Sequence, residues 1–278
     1  MNQLVLRNLM ELLLNEDIGV KDLTTEAIFS KNQMGEITFI AEDSGVFCGE
    51  EIIKTGYFVL NPSLSINLHV HDGDLIEKGQ ELATVKGNIR DLLSGQRVIL
   101  QLVQRMSGIA TKTREAVDQL NSGYTKICDA GETSPGLRIM EQYAVTIGGG
   151  HNHRFGLSDG VVITKAHITL AGSIANAVQS VKKNVGHMVK VEVEADTKEQ
   201  MLEALAAGSD VIKLMNRNPE ELVEWIVHVP ETVTTEASGH ISIEDIASYR
   251  NSGVDYISLK GLTQAKPIRI FLQVRSIK

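Results

Sequence analysis

Gly148 to Arg154 reads GGGHNHR, the most concentrated polar segment of the chain, and its three adjacent glycines let a ligand approach the backbone without side-chain obstruction. Two histidines and an arginine beside such a turn make an anion site one reading; a glycine-rich turn whose histidines cap a helix is the other. A second chemical run is KVEVEA, in which Lys190, Glu192 and Glu194 alternate onto one face of a strand. Carboxylates on a strand buried on both sides need partners, so this pair either serves a ligand or metal-bound water or bridges to lysines at a sheet rim. His69 and His71 also share a strand face, yet no Cys, Asp or Glu cluster is assured nearby, and a solvated hairpin face is expected there rather than a metal site. Cys48 and Cys128 each lie in an apolar stretch without zinc or redox spacing and read as packing residues, and no GxSxG elbow supplies a serine nucleophile.

These residues need elements to hold them. Leu4 to Leu14 has helical apolar spacing and stops in NEDIG at Gly19. Gly35 to Gly49 and Ser63 to Val85 alternate instead, with turn signals at Asp72-Gly73-Asp74 and Lys86-Gly87-Asn88, which predicts antiparallel strands. Arg90 to Met106 returns to helical spacing and is predicted to close at Ser107-Gly108. Beyond Ser122-Gly123, β-rich runs (KICDA, GVVITKAH, MVKVEVEA, DVIKLM, ETVTTEA, DYISLKG) alternate with amphipathic helical stretches. The last four begin near Met188, Asp210, Glu231 and Asp255, a spacing of about 22 residues that suits βα units closing a parallel barrel. No GxGxxG follows the first of these strands, which weakens a dinucleotide-binding reading. In a barrel the functional groups are expected at the strand C-termini, which offer Asp129 to Glu132, Thr164 to His167, Glu192 and Glu194, Met215-Asn216, Glu236 to Gly239 and Lys260-Gly261. Pro267 to Lys278 holds a further alternating run that is expected to return to the N-terminal sheet.

The 278 residues suit one large or two medium domains, and 42% hydrophobic with 22% charged residues describes a globular chain. A net charge of −8 without a basic run argues against nucleic-acid partners, and the apolar stretches are too short for a membrane helix. One Trp, five Tyr and six Phe are too few for a stacking platform, so a small ligand is expected to be held by charge and backbone. The N-terminus carries acids where a signal peptide has small residues, so a cytoplasmic location is expected.

EDIGxxDLTT (Glu16 to Thr25), GDxxxxGQ (Gly73 to Gln80), QRxSGIATxTR (Gln104 to Arg114), TSPGLR (Thr133 to Arg138) and GGGxNHRxGLxD (Gly148 to Asp159) together resemble the quinolinate phosphoribosyltransferase family. EVE (Glu192 to Glu194), EASG (Glu236 to Gly239) and a GLTQ turn extend the resemblance over nearly the whole chain. It implies an α/β protein with an N-terminal α/β sandwich-like domain over 1–108, to which 267–278 return, and a C-terminal open (β/α) barrel over 109–266. It also implies a homodimer in which each subunit reaches into its neighbour's pocket. Family members join the ring nitrogen of quinolinate to phosphoribosyl pyrophosphate, losing pyrophosphate and a carboxylate. Mg²⁺ is expected to arrive with the diphosphate, with no metal ligands from the protein.

By this resemblance Arg105 (from the partner subunit), His153 and Arg154 bind quinolinate carboxylates, and Glu192, Ser238 and Gly239 serve the sugar-phosphate region. Arg138, Thr164, Glu194, Lys260 and Gly261 complete the expected substrate-binding set, and Glu192 and Lys165 are the expected catalytic residues. Several positions depart from the pattern. The family's DTRKTTPGLR reads DAGETSPGLR, which puts Gly131 and Glu132 in place of Arg and Lys. LIKDNH reads VITKAH, with Thr164 at the lysine position and Lys165 one residue along, and a one-residue shift on a strand reverses the face. LDN reads LMN, so Met215 replaces an aspartate; SGG ends in His240; and VGALTHS reads LKGLTQA, with Lys260 in place of glycine. The lost cations point to a phosphoribosyltransferase-family enzyme respecialised to another small anionic, pyridine-carboxylate-like ligand. A non-catalytic binding or regulatory homologue is the alternative. A phosphate is expected on Ser238-Gly239-His240 and Lys260-Gly261, because late strand ends of barrels build such sites.

Overall fold

A computed structural model describes residues 1–277. Helix α1 (Gln3–Ile18) starts where the Asn2 side chain accepts hydrogen bonds from the Leu4 and Val5 N–H groups, and ends at Gly19 with φ 60°. Its buried residues Leu6, Met10 and Leu14 recur every fourth position and form one apolar stripe. After α2 (Leu23–Ile28) come β1 (Met34–Ala41), β2 (Gly45–Val46), α3 (Glu50–Leu60), β3 (Ser65–Leu68), β4 (Leu75–Ile76) and β5 (Glu81–Asn88). β1 and β3 both pair antiparallel with β5. The Phe39 and Tyr57 rings meet edge to face at 6.4 Å within this core.

The expected turn at Lys86-Gly87-Asn88 is instead part of β5, with Gly87 opposite Gly35. Gly87 has φ 153° and the Leu64 side chain fills the place where a Cβ would project, so this glycine answers a close contact rather than a chain reversal. Helix α4 (Ile89–Leu120) likewise runs on through Ser107-Gly108. Ser107 Oγ accepts from the Cys48 N–H at 3.0 Å and donates to the Cys48 carbonyl, while Gly108 lies against the backbone of Lys266 with no room for a Cβ. These two residues are small because other chain segments pack on the helix there.

The chain continues through β6 (Lys126–Asp129), α5 (Arg138–Ile147), β7 (Val161–Ile163), α6 (Lys165–Ala171), α7 (Ile174–Asn184) and β8 (Val191–Ala195). Then follow α8 (Lys198–Ala206), β9 (Val211–Met215), α9 (Pro219–Ile226), β10 (Thr234–Ser238), a 3₁₀ turn (Ile246–Asn251) and β11 (Tyr256–Leu259). These strands form one six-stranded sheet in the order β6-β11-β10-β9-β8-β7. Its pairings are parallel, as the βα alternation predicts, and among the described residues its ends, β6 and β7, do not pair with each other, which is the open barrel that the family resemblance implies. β12 (Ile270–Ile277) returns to pair antiparallel with β1, giving the four-stranded order β12-β1-β5-β3.

Two compact units result. One comprises 1–112, 134–148 and 264–278; the other comprises 113–133 and 149–263. Helix α5 thus belongs to the first unit although barrel strands precede and follow it in sequence.

Candidate active site in the barrel

Alternation along β8 sends Glu192 and Glu194 to one face, and the neighbouring strands place Lys213 in register with Glu194 on one side and Glu236 on the other. The Lys213 Nζ lies 2.7 Å from Glu236 Oε1 and 3.7 Å from Glu192 Oε1. His153, in the loop between α5 and β7, brings Nε2 to 2.9 Å from Glu192 Oε2 and 3.7 Å from Glu236 Oε2. All four side chains are largely buried, and burial of charge is tolerable here because each group faces an opposite one.

The hydrogen bond to Glu192 raises the His153 pKa above its usual value despite burial, with the Glu192 and Glu236 charges adding to it. Burial works to raise the Glu192 pKa, but the His153 hydrogen bond and the Lys213 charge prevail and it is lowered. Burial opposes charge on Lys213 as well; Glu236 and Glu192 outweigh it and its pKa is raised. Cys128 on β6 has its thiol pushed well up by burial, in keeping with a packing role.

A cavity of about 390 Å³ borders this cluster. Its wall is made by His153, Arg154, Glu192 and Glu236 together with Val211, Thr234 and Tyr256, the first residues of β9, β10 and β11. The expectation that the functional groups gather at the strand C-termini therefore holds only in part. His153 faces two ways: its Nε2 meets Glu192, while its Nδ1 would lie 3.9 Å from a Cβ placed on Gly131, just past the end of β6. Arg154 reaches from the same loop and donates to the Gly160 carbonyl at 2.8 Å.

The other predicted residues lie elsewhere. Thr164 is the N-cap of α6, with Oγ1 2.8 Å from His167 Nδ1, so its hydroxyl is engaged in a capping box. Lys165 does not join the barrel centre: its side chain is 82% exposed and lies 3.7 Å from Asp196. Glu194 is half-buried at the end of β8. Ser238 ends β10 with a buried hydroxyl, and Gly239 has φ 128° with Asn216 occupying the space a Cβ would need. Lys260, beside Gly261, meets Glu132 at 3.2 Å, so two of the departures from the family pattern pair with each other. In the first unit, Arg105 donates to the fully buried Glu141 at 2.6 Å and to Ser134 Oγ at 2.8 Å, and Arg138 is exposed at the start of α5.

Lys213 was not among the expected site residues, and Glu236 was expected only as one of the groups at the end of its strand. The signal was present in DVIKLM and TTEAS, where a charged residue sits inside a strand that a barrel buries on both faces. Among the described residues, His153, Glu192 and Glu236 bring three candidate metal-ligand atoms within 4.8 Å of one another. The Lys213 ammonium already pairs with both of these carboxylates, and Mg²⁺ favours an oxygen-only shell, so the group does not fit a resident Mg²⁺.

An open parallel barrel in one unit and an antiparallel sheet in the other, with buried charged groups bordering a cavity, define the class as an α/β-barrel protein. Residues 22–107 match the family model of the quinolinate phosphoribosyl transferase N-terminal domain, and residues 109–272 match that of the C-terminal domain. The chain is 46% identical over 265 residues, 95% of its length and 91% of the relative's, to a probable nicotinate-nucleotide pyrophosphorylase (carboxylating) of Bacillus subtilis. Among solved structures, NadC from Streptococcus pyogenes superposes with TM-score 0.94 at 30% identity, covering 100% of this chain and 99% of the other. Nicotinate-nucleotide pyrophosphorylase from Ehrlichia chaffeensis does so with TM-score 0.90 at 33% identity, covering 96% and 98%. The chain belongs to the quinolinate phosphoribosyltransferase family.

Proposed function

We propose that the chain catalyses transfer of the phosphoribosyl group to the ring nitrogen of quinolinate, with release of pyrophosphate and CO₂, the reaction the names of its relatives describe. The observation that carries this reading is the 46% identity to the Bacillus subtilis relative over 95% of the chain, which extends through the His153-Arg154 loop and the barrel strands. The expected respecialisation to a different ligand has no support from any relative named above, so quinolinate is the substrate proposed.

In this reading, His153 and Arg154 meet the pyridine carboxylates. His153 is suited to that role because its bond to Glu192 favours the imidazolium, which donates from both ring nitrogens. Fixed positive groups then stabilise the negative charge that develops when the adjacent carboxylate leaves. Ser238, Gly239 and the Lys260-Gly261 turn receive the sugar phosphate. Mg²⁺ enters as part of the diphosphate substrate rather than from a site of its own. Arg105 reaches a second copy's pocket in a homodimer.

Turnover is expected to be slow. Gly131, Glu132 and Thr164 stand where the family pattern has cations, and loss of one preorganised donor typically costs about 10²–10³ in rate. A second reading, binding without turnover, is favoured by one observation: Glu132 and Lys260 satisfy each other at the strand ends, which leaves less charge for a diphosphate. Incubation with quinolinate, phosphoribosyl pyrophosphate and Mg²⁺, followed by chromatography for nicotinate mononucleotide, tests both. Product at a rate at least 10²-fold below that of the Bacillus subtilis relative assayed in parallel is the expected result. Quinolinate binding with no product selects the second reading, and the absence of both overturns the assignment.

A further inference from the structure

We propose that Lys213 is a positioning residue that sets the net charge at the barrel centre, so that the cavity accepts an anionic ligand; this rests on the functional reading above and names the residue on which its charge selectivity depends. Three barrel strands and one loop meet there: Glu192 from β8, Lys213 from β9, Glu236 from β10 and His153 from the loop before β7. Glu192 and Glu236 both approach the same His153 Nε2, at 2.9 and 3.7 Å, and both approach the Lys213 Nζ. Two carboxylates this close repel unless cations lie between them.

With His153 protonated, the four groups sum to zero. Without Lys213 they carry one net negative charge on the wall of a cavity meant for a dianion. Lys213 itself is not part of that wall, so its effect on a ligand passes through Glu192, Glu236 and His153. The remaining groups facing the cluster do not replace it. Cys128 on β6 is held as the neutral thiol, and Ser258 on β11 is uncharged. Arg154 acts on Glu192 from the loop, and Asp129 on β6 adds negative charge. On β8, Glu194 stands in register with Lys213 and adds a second carboxylate on that face, and Lys190 lines the cavity just before β8; within the three strands β9 supplies the cation, while β8 and β10 supply carboxylates.

The experiment is calorimetric titration of quinolinate into the full chain at pH 5.5 and 7.5, for the unmodified protein, K213M, K213R and K213M/E236Q. At pH 7.5, K213M is expected to weaken binding at least about tenfold, because an unneutralised unit charge in a low-dielectric site acts strongly on an anion. At pH 5.5 the deficit is expected to shrink below about threefold, since the carboxylate that has lost its cation protonates more readily. K213R is expected to bind like the unmodified protein, and K213M/E236Q, which removes one charge of each sign, to recover most of the affinity lost in K213M. An equal loss at both pH values, or no recovery in K213M/E236Q, overturns the proposal, because a lysine needed only for packing gives that pattern.

Ligand-free protein separates this proposal from the functional reading. The imidazole signal of His153, assigned by its disappearance in H153N, is expected to titrate at higher pH in K213M and to return in K213R. If the unmodified protein binds no quinolinate, the functional reading fails, and the His153 titration alone decides whether Lys213 sets the charge of the site; an unmoved midpoint rejects it. Should K213M not fold, E236Q replaces it. Removing one negative charge is expected to move the His153 midpoint down, and adding K213M to E236Q to bring it back; a midpoint that ignores both changes overturns the proposal.

Discussion

His153 contributes a pH dependence to the barrel on the alkaline side of its ordinary pKa. Its folded-state pKa is raised, chiefly by the hydrogen bond to Glu192, so the stabilisation it supplies is fully present below the ordinary value of 6.5 and is lost as pH rises through the folded value. Glu192 sets the opposite limb: its lowered pKa means that its contribution holds above about 4.5 and disappears as acid protonates it. The melting temperature is therefore expected to fall from pH 6 to pH 9 in the unmodified protein, and to change less over that range in H153N. A parallel decline in both proteins, followed by circular dichroism, would show that His153 is not the titrating group. The same residue illustrates what was legible at this scale. GGGHNHR marked His153 and Arg154, and EVE marked Glu192, because chemistry-bearing side chains were concentrated in short runs. Lys213 escaped notice because a single lysine in DVIKLM carries no motif, and its partners Glu192 and Glu236 lie 21 and 23 residues away on other strands. Lys165 was an expected catalytic residue because it stands one position from a family lysine, whereas the start of α6 turns it out toward Asp196.

Among the elements, period and alternation located the strands, including the return of β12 to β1, since those patterns follow directly from which face is buried. Glycine was misread where its purpose was space. Ser107-Gly108 has the composition of a helix stop, yet α4 runs on to Leu120 because the Lys266 backbone lies against Gly108. This contact makes the sign of a substitution informative. In an uncrowded helix interior, Gly108→Ala stabilises by roughly 1 kcal/mol through helix propensity. Against a backbone that cannot retreat, the added methyl is expected to destabilise by about 1–3 kcal/mol. Urea unfolding that shows a higher midpoint for G108A would remove the close approach as the reason for the glycine. The His-Arg loop gains its place in a comparable way: His151 forms a parallel bridge with Cys128 on β6, which ties the strand-like start of the loop to the open edge of the sheet.

On the scale of the whole molecule, the first unit carries exposed apolar side chains. Leu4 and Leu12 on α1 are 75% and 64% exposed, Leu23 and Ile28 on α2 are 68% and 66% exposed, and Phe58 on α3 is half exposed. Arg105 lies in the same unit, where Glu141 and Ser134 fix its guanidinium, and a rigid, oriented arginine is what recognition of a carboxylate on a neighbouring subunit requires. Association and ligand binding should then be linked. Light scattering is expected to give a dimer mass, about twice 30.4 kDa, at micromolar concentration. R105A is expected to keep that mass while weakening quinolinate binding, a result that would assign the arginine to the ligand rather than to association. A mixed dimer tests the geometry further. When R105A is combined with H153A in a second tagged chain, each bearing one defect, half of the pockets contain both an intact Arg105 and an intact His153 only if the two come from different subunits. Recovery of quinolinate binding in the isolated mixed dimer supports the shared pocket, while two equally defective sites, or a monomer that binds with undiminished affinity, would refute it.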